Sequence, residues 1–133
     1  MTLEAEQAVR AFSAPSDADY HTTTKQFYIV CMDSSDETIK VAATPDSASE
    51  PPIGVLINEP TAKWQPASVA YSGVCKVEAG GVIAIGDAVT CNGSGLAVAT
   101  TTAGDKCIGR ALSVGATGAI VMVLLGMFMY EAS

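Results

Sequence analysis

The sequence predicts an all-β fold, a small β-barrel or sandwich with an extended N-terminal arm. Three observations lead there. From Phe27 onward, short apolar runs rich in Val, Ile, Thr and aromatic residues recur at regular spacing. Glycine-bearing turns separate them, and no helical apolar period runs through them. One unit also occurs twice: Ile53-Gly54-Val55-Leu56 is echoed by Ile108-Gly109-Arg110-Ala111-Leu112. In each copy a polar or turn-rich break follows, then an apolar strand. That strand is Ala67 to Tyr71 before Gly73 in one copy and Ala119 to Leu125 before Gly126 in the other. Short strands with glycine turns and no intervening helices are the pattern of small barrels and sandwiches.

Residues 1–26 read as the arm and residues 27–133 as the compact β domain. Leu3 to Phe12 is expected to form a short helix, with Thr2 as its N-cap and Glu4 and Glu6 in the first turn. A helix that short is marginal in water and needs a partner. Ser13 to Asp19 breaks it. Tyr20 to Gln26, with three consecutive threonines, suits an extended segment. Removing residues 1–20 is therefore expected to spare folding and weaken attachment to a partner.

Phe27 to Met32 and Thr38 to Ala42 make a hairpin around the turn Asp33-Ser34-Ser35-Asp36. Thr44 to Pro52, with three prolines, is a loop. Ile53 to Ile57 is a strand, and Asn58 to Pro66 is a connection that carries Trp64, the only tryptophan. Ala67 to Tyr71 and Val74 to Glu78 are read as two strands around Ser72-Gly73. Ala88 to Cys91 leads into Asn92-Gly93, a tight hairpin turn whose two central positions take φ > 0. Leu96 to Thr100, Cys107 to Leu112 and Ala119 to Leu125 complete the series, and an apolar tail follows.

Charged residues make up 16% of the 133-residue chain, against about 25% in an ordinary soluble domain. Mean hydropathy is +0.32. So little polar surface points to a surface partly covered by other subunits. The formal net charge of −7, with Lys and Arg scattered singly, argues against nucleic-acid binding, which needs clustered cations on phosphates. No basic, apolar secretory leader is visible. The apolar run from Ala119 to Tyr130 is shorter than the ~20 residues of a membrane-spanning helix. Neither nucleic acid nor membrane is expected as a partner.

Little in the chain points to chemistry. Cys31, Cys75, Cys91 and Cys107 contain no C-x-x-C pair, and His21 is the only histidine, so no metal site is expected. The cysteines read as reduced, small hydrophobes within strands. The acidic turn from Asp33 to Glu37 lacks the ligand spacing and glycine of a calcium loop. His21 lies in the arm, away from any nucleophile that it would activate. Gly80-Gly81 and Gly93-Ser94-Gly95 lie between strands rather than at a helix start, so they serve turns and not phosphate. Asp87 and Asp105, each after a glycine, are turn residues. No enzymatic activity and no cofactor are expected. The candidates for a functional surface are apolar: Leu3, Val9, Phe12 and Tyr20 on the arm, Trp64 in its loop, and the tail Met127-Phe128-Met129-Tyr130. Trp64 and the tail are each either an interface anchor or folded under onto the core.

Five stretches, taken in order, resemble the small capsid decoration, or cement, proteins of tailed bacteriophages. They are Pro52-Ile53-Gly54-Val55-Leu56, Val69 to Val77, Ile83-Ala84-Ile85-Gly86-Asp87-Ala88-Val89, Ile108 to Leu112, and the closing strand Gly118 to Leu125. The resemblance covers about residues 27–126. It implies a compact, β-tulip-like domain that assembles as a homotrimer, with the major capsid protein as partner. It implies a place on the outer face of the mature head, after synthesis in the host cytoplasm, and an N-terminal arm reaching onto the shell. The stretch Met1 to Tyr20 is longer than in the simplest members. Two other readings stand beside it. One is another virion subunit, a tail component or the base of a head fibre. The other is a barrel-sandwich carrier module, since Gly86-Asp87-Ala88-Val89 resembles a biotinyl or lipoyl turn, although Asn92-Gly93-Ser94-Gly95 offers no lysine to modify.

Overall fold

A computed structural model describes residues 9–131. Nine strands form one antiparallel sheet: β1 (Val9–Pro15), β2 (Ile29–Met32), β3 (Ile39–Val41), β4 (Gly54–Leu56), β5 (Pro66–Glu78), β6 (Ala88–Cys91), β7 (Ala97–Ala99), β8 (Lys106–Ala111) and β9 (Ile120–Met129). The main path runs β3-β2-β4-β5-β9-β8-β6-β7, and β1 also pairs with β5. The all-β expectation holds, and the sheet curls into an open barrel. Its far members meet where the Ile29 N–H donates to the Gly95 carbonyl in the β6–β7 loop, and the Gly80 N–H, just past β5, donates to the Ala97 carbonyl of β7.

The strand β5 organises the fold. At Ala70 it has Val55 of β4 on one edge and Ala11 of β1 on the other, and from Gly73 to Glu78 it pairs with β9. The sequence predicts two strands here, but one continuous strand of 13 residues forms. Tyr71 has no partner across β1, where the register slips between Arg10 and Ala11. Gly73 follows with φ of +98°, a conformation that glycine adopts without strain. The extra residue changes the inward-facing parity. Ala70 lies in the main core before the bulge, and Cys75 and Val77 lie there after it.

Two apolar cores result. The main one fills the barrel, with Ile29, Val55, Val89, Ile108, Val121 and Val123 among its members. The second lies on the other face of the same strands and comprises Tyr20, Val30, Ile39, Leu56, Ala67 and Val69. Val55 therefore faces one core and its neighbour Leu56 the other. Strands buried on both faces read as unbroken apolar runs, and this explains why β2 and β4 show no polar alternation.

The repeated Ile-Gly unit has a shared geometry. In both copies the strand carrying it pairs with the apolar strand that follows, β4 with β5 and β8 with β9. A side chain at Gly54 would run into the Ala70 carbonyl oxygen, and one at Gly109 into the Leu124 carbonyl oxygen. The glycines let two backbones come close at equivalent places.

Three further expectations are revised. Val9 to Phe12 is strand rather than helix, because β5 offers a ladder for its backbone; residues 3–8 of the expected helix lie outside the described residues. Among the described residues there is no helix. Tyr20 to Gln26 is not extended. Asp19 accepts from the N–H groups of His21 and Thr22 at 2.9 Å each, and the chain turns there. The β6–β7 hairpin forms, but its positive φ falls at Gly95 (+78°) rather than at Asn92-Gly93. There the Asn92 side chain accepts from the N–H groups of Ser94 and Leu96, bending the loop itself.

One loop tie is pH-sensitive. Glu50 receives the Lys40 ammonium at 2.7 Å and the Ser34 N–H at 2.9 Å, fastening the proline loop to the β2–β3 hairpin. The Lys40 contact, then those of Ser34, lower its carboxyl from the ordinary 4.5 to about 2. A carboxylate depressed on folding stabilises fully above its unfolded pKa, and the contribution disappears as pH falls through the folded value. Between about pH 4.5 and 2, E50Q is expected to show a shallower loss of thermal stability than the parent. Identical slopes in the two proteins would exclude Glu50 as the group.

Candidate interaction surface

The nine candidate residues do not form one surface. Leu3 lies outside the described residues. Val9 is half-buried against the main core. Phe12 is exposed, with its ring 6.1 Å from that of Tyr71 and tilted by 43°. Tyr20 is buried in the second core, and its hydroxyl accepts from the Val41 N–H at 3.3 Å. Burial pushes the phenol's pKa up. Its contacts are internal.

Trp64 is 60% exposed and lies in the left-handed region, at φ of +76°. A bulky side chain rarely adopts that conformation, so the surrounding bonds must impose it. The Trp64 N–H donates to Ser16 (2.7 Å), and the Ser16 N–H to Gln65 (2.8 Å). The Gln65 side chain accepts from the Thr61 N–H and hydroxyl. The Lys63 ammonium sits 5.0 Å from the indole and binds Asp36 at 2.9 Å. Beside the indole is a shallow groove lined by Ser13, Ala14, Pro15 and Pro66.

The predicted apolar tail is a strand, because β9 continues past Gly126 to Met129 against β8. Met127 and Met129 are exposed; Phe128 is half-buried under the Arg110 guanidinium, 5.0 Å from its ring. Tyr130 is held by backbone bonds to Asp105 and Gly104.

The most exposed large hydrophobic side chains among the described residues escaped the sequence reading. Val82, Ile85 and Val114 are exposed by 79%, 69% and 66% on two glycine-rich turns. Those turns read as mere punctuation. The available signal was that large aliphatics, rather than polar residues, stood between their glycines. Ile120 and Leu124 on the outer face of β9 are exposed as well.

The cysteines and the acidic cluster are engaged internally. All four cysteines are buried, within β2, β5, β6 and β8, as the sequence predicts. Burial raises the thiol of Cys31 to about 11 and those of Cys75 and Cys91 to about 12, so little thiolate forms near neutrality. His21 is exposed, its Nδ1 3.7 Å from Glu59. Asp17, Asp33 and Asp36 converge within 4.8 Å, but Thr38, the Ser35 N–H and Lys63 already occupy their oxygens.

Among solved structures, the chain is similar to the head fiber gp8.5 N base of bacteriophage phi29. The TM-score is 0.65 at 18% sequence identity, covering 89% of this chain and 94% of that one. The likeness is one of fold. No family model and no curated protein matches the chain.

Proposed function

We propose that the chain is a structural subunit of a phage virion, a decoration protein on the outer face of the mature head. In this reading it assembles as a homotrimer on the major capsid protein. The observation that carries the virion part of the reading is a fold shared over nearly the whole of both chains with a phage head-fibre base. The decoration role rests on the ordered resemblance of residues 27–126 to decoration proteins. The physical task would be mechanical. Packaged DNA pushes outward, and a trimer gripping three neighbouring capsomers resists their separation. Three modest contacts combine through high effective concentration. A protein that binds the expanded shell and not its precursor stabilises the expanded state by mass action. Such a task needs no cofactor and no catalytic residue.

The head-fibre neighbour favours a second reading, in which the chain is the base on which a fibre stands. Co-sedimentation with expanded and unexpanded empty capsids of its phage tests both. Saturation at a fixed ratio on expanded shells alone is the expected result. Equal binding to both shells would contradict the locking mechanism, and no binding to either would overturn the virion-surface reading. A further virion protein retained through this chain would favour the base.

A further inference from the structure

We infer that the outer edge of β1 and the groove beside Trp64 receive an extended peptide segment of a partner protein. The segment adds as a strand, with an apolar residue in the groove and a Lys or Arg just beyond it. Ser68 of β5 uses both of its main-chain groups on the side away from β1. Its N–H donates to the Asn58 side chain at 2.9 Å, and its carbonyl accepts from the Ile57 N–H at 3.0 Å. Ser13 is the register partner of Ser68 on β1, so its own N–H and C=O point outward, away from β5. By the alternation of an antiparallel ladder, those of Ala11 do the same. Among the described residues, no strand pairs with that edge. The register slip between Arg10 and Ala11 bounds it on one side, and Pro15, which has no N–H, on the other. Sheet edges are usually covered or guarded by charge, yet residues 11–15 bring no charged side chain.

The groove begins where this edge ends. Ser13, Ala14 and Pro15 line one side of it, with Pro66 and Trp64 completing it. Trp64 keeps its ring exposed on a left-handed backbone, φ +76°, that its bonds with Ser16 impose. Strain of this kind gathers at ligand clamps, and an indole fixed before binding loses little entropy on binding. Both features ask for the same ligand chemistry. Alternating N–H and C=O groups along an edge are matched by another extended backbone, and an indole beside two prolines by an apolar side chain. Charge decides what flanks that side chain. Asp17 follows Ser16, which accepts from the Trp64 N–H, and converges with Asp33 and Asp36 within 4.8 Å. Lys63 on Asp36 offsets one of these three charges, so this end favours a Lys or Arg on the incoming strand. Arg10, exposed at the other end of β1, favours a carboxylate there. The inference stands whether or not the chain binds a capsid.

The test uses the full chain and short synthetic peptides of alternating Thr and Val, with the central residue varied and Lys or Glu at the ends. Trp64 is the only tryptophan, so its emission reports the groove directly. Peptides with a central Leu or Pro and a terminal Lys are expected to shift that emission to the blue. A central Asp, or Glu in place of Lys, is expected to weaken binding at least about tenfold, the scale on which an anchor or a complementary charge is lost. N-methylation of alternate peptide amides, in either register, leaves the protein untouched and is expected to abolish binding in the register that faces β1. W64N, whose short side chain tolerates a left-handed backbone, is expected to melt with the parent and to lose a fluorescein-labelled peptide, read by anisotropy. The inference is overturned if no peptide shifts the emission, or if N-methylated and plain peptides bind alike. It is also overturned by a shift that follows protein concentration alone with a rise in mass by light scattering, which gives the edge to a second copy. Binding seen only once residues 1–8 are deleted gives the edge to that segment and overturns it as well.

Discussion

Gly109→Ala is expected to destabilise the protein by about 3 kcal/mol or more, the upper range for overpacking a filled core. That corresponds to a fall of roughly 10 °C in melting temperature for a domain of this size. Glycine's backbone freedom is not the reason, because Gly109 is not among the positive-φ residues. The obstacle is steric. An added methyl at Gly109 would overlap the Leu124 carbonyl oxygen and stand 2.8 Å from its carbon and 3.0 Å from the Leu125 Cα. All three are backbone atoms of the partner strand, which cannot swing aside as a flexible side chain can. Relief would require β8 and β9 to part, breaking a ladder that runs from Lys106–Met129 to Ala111–Val123. Gly54→Ala, against the Ala70 carbonyl, is expected to behave alike. Gly93→Ala has open space around it and should stay within about 0.5 kcal/mol of the parent. If G109A melted with the G93A control, the close approach of the two backbones would be wrong.

The same glycines show what the sequence can and cannot reveal. The repeated Ile-Gly unit was legible as a pattern, and the pairing of each copy with the strand after it follows from the short connection between them. Its cause was not legible, because a neighbour's carbonyl oxygen leaves no trace in one-dimensional spacing. Most strands were legible because β-branched runs bounded by turn residues need only local information. Two misreadings came from long-range partners. Val9 to Phe12 carries a helix-like N-terminal pattern but finds a ladder on β5, and propensity yields to that ladder. Ser72-Gly73 reads as a turn, yet partners on β1 and β9 hold it in a bulged strand. The interaction surface was the least legible part. Trp64 and Met127 to Met129 stood out by residue type, and the structure leaves Trp64, Met127 and Met129 exposed. Val82, Ile85 and Val114 were hidden in turns, because a large aliphatic residue reads as core by type and only the fold shows it exposed.

Tyr20→Ala is expected to cost about 3 kcal/mol or more, the usual loss for truncating a large buried aromatic side chain. Deleting residues 1–20 is expected to cost more than that single change. This reverses the expectation that the deletion would spare folding, and the reason lies in the second core. Tyr20 is one of its six buried members, with Ala14 and Ala18 packed at its margin. Without residues 14–20, the outward sides of Val30, Leu56 and Val69 lose apolar cover, at roughly 25 cal/mol for each Å² returned to water. The deletion also removes β1, leaving the first half of β5 with no strand on that edge. An exposed edge beside uncovered apolar residues invites association, so the truncated chain should aggregate as well as melt early. Deleting residues 1–8 alone leaves every described contact in place and serves as the control. Melting curves of the two truncations, read with Y20A and Y20F, separate these contributions. Y20F keeps the ring and loses only the hydrogen bond from Val41, so it should lose about 1 kcal/mol. A shorter truncation as unstable as the longer one would place the stabilising contacts before Val9. A longer truncation that melted with the parent would mean that the second core does not need its cover, and the segment would then be an arm in the energetic sense after all.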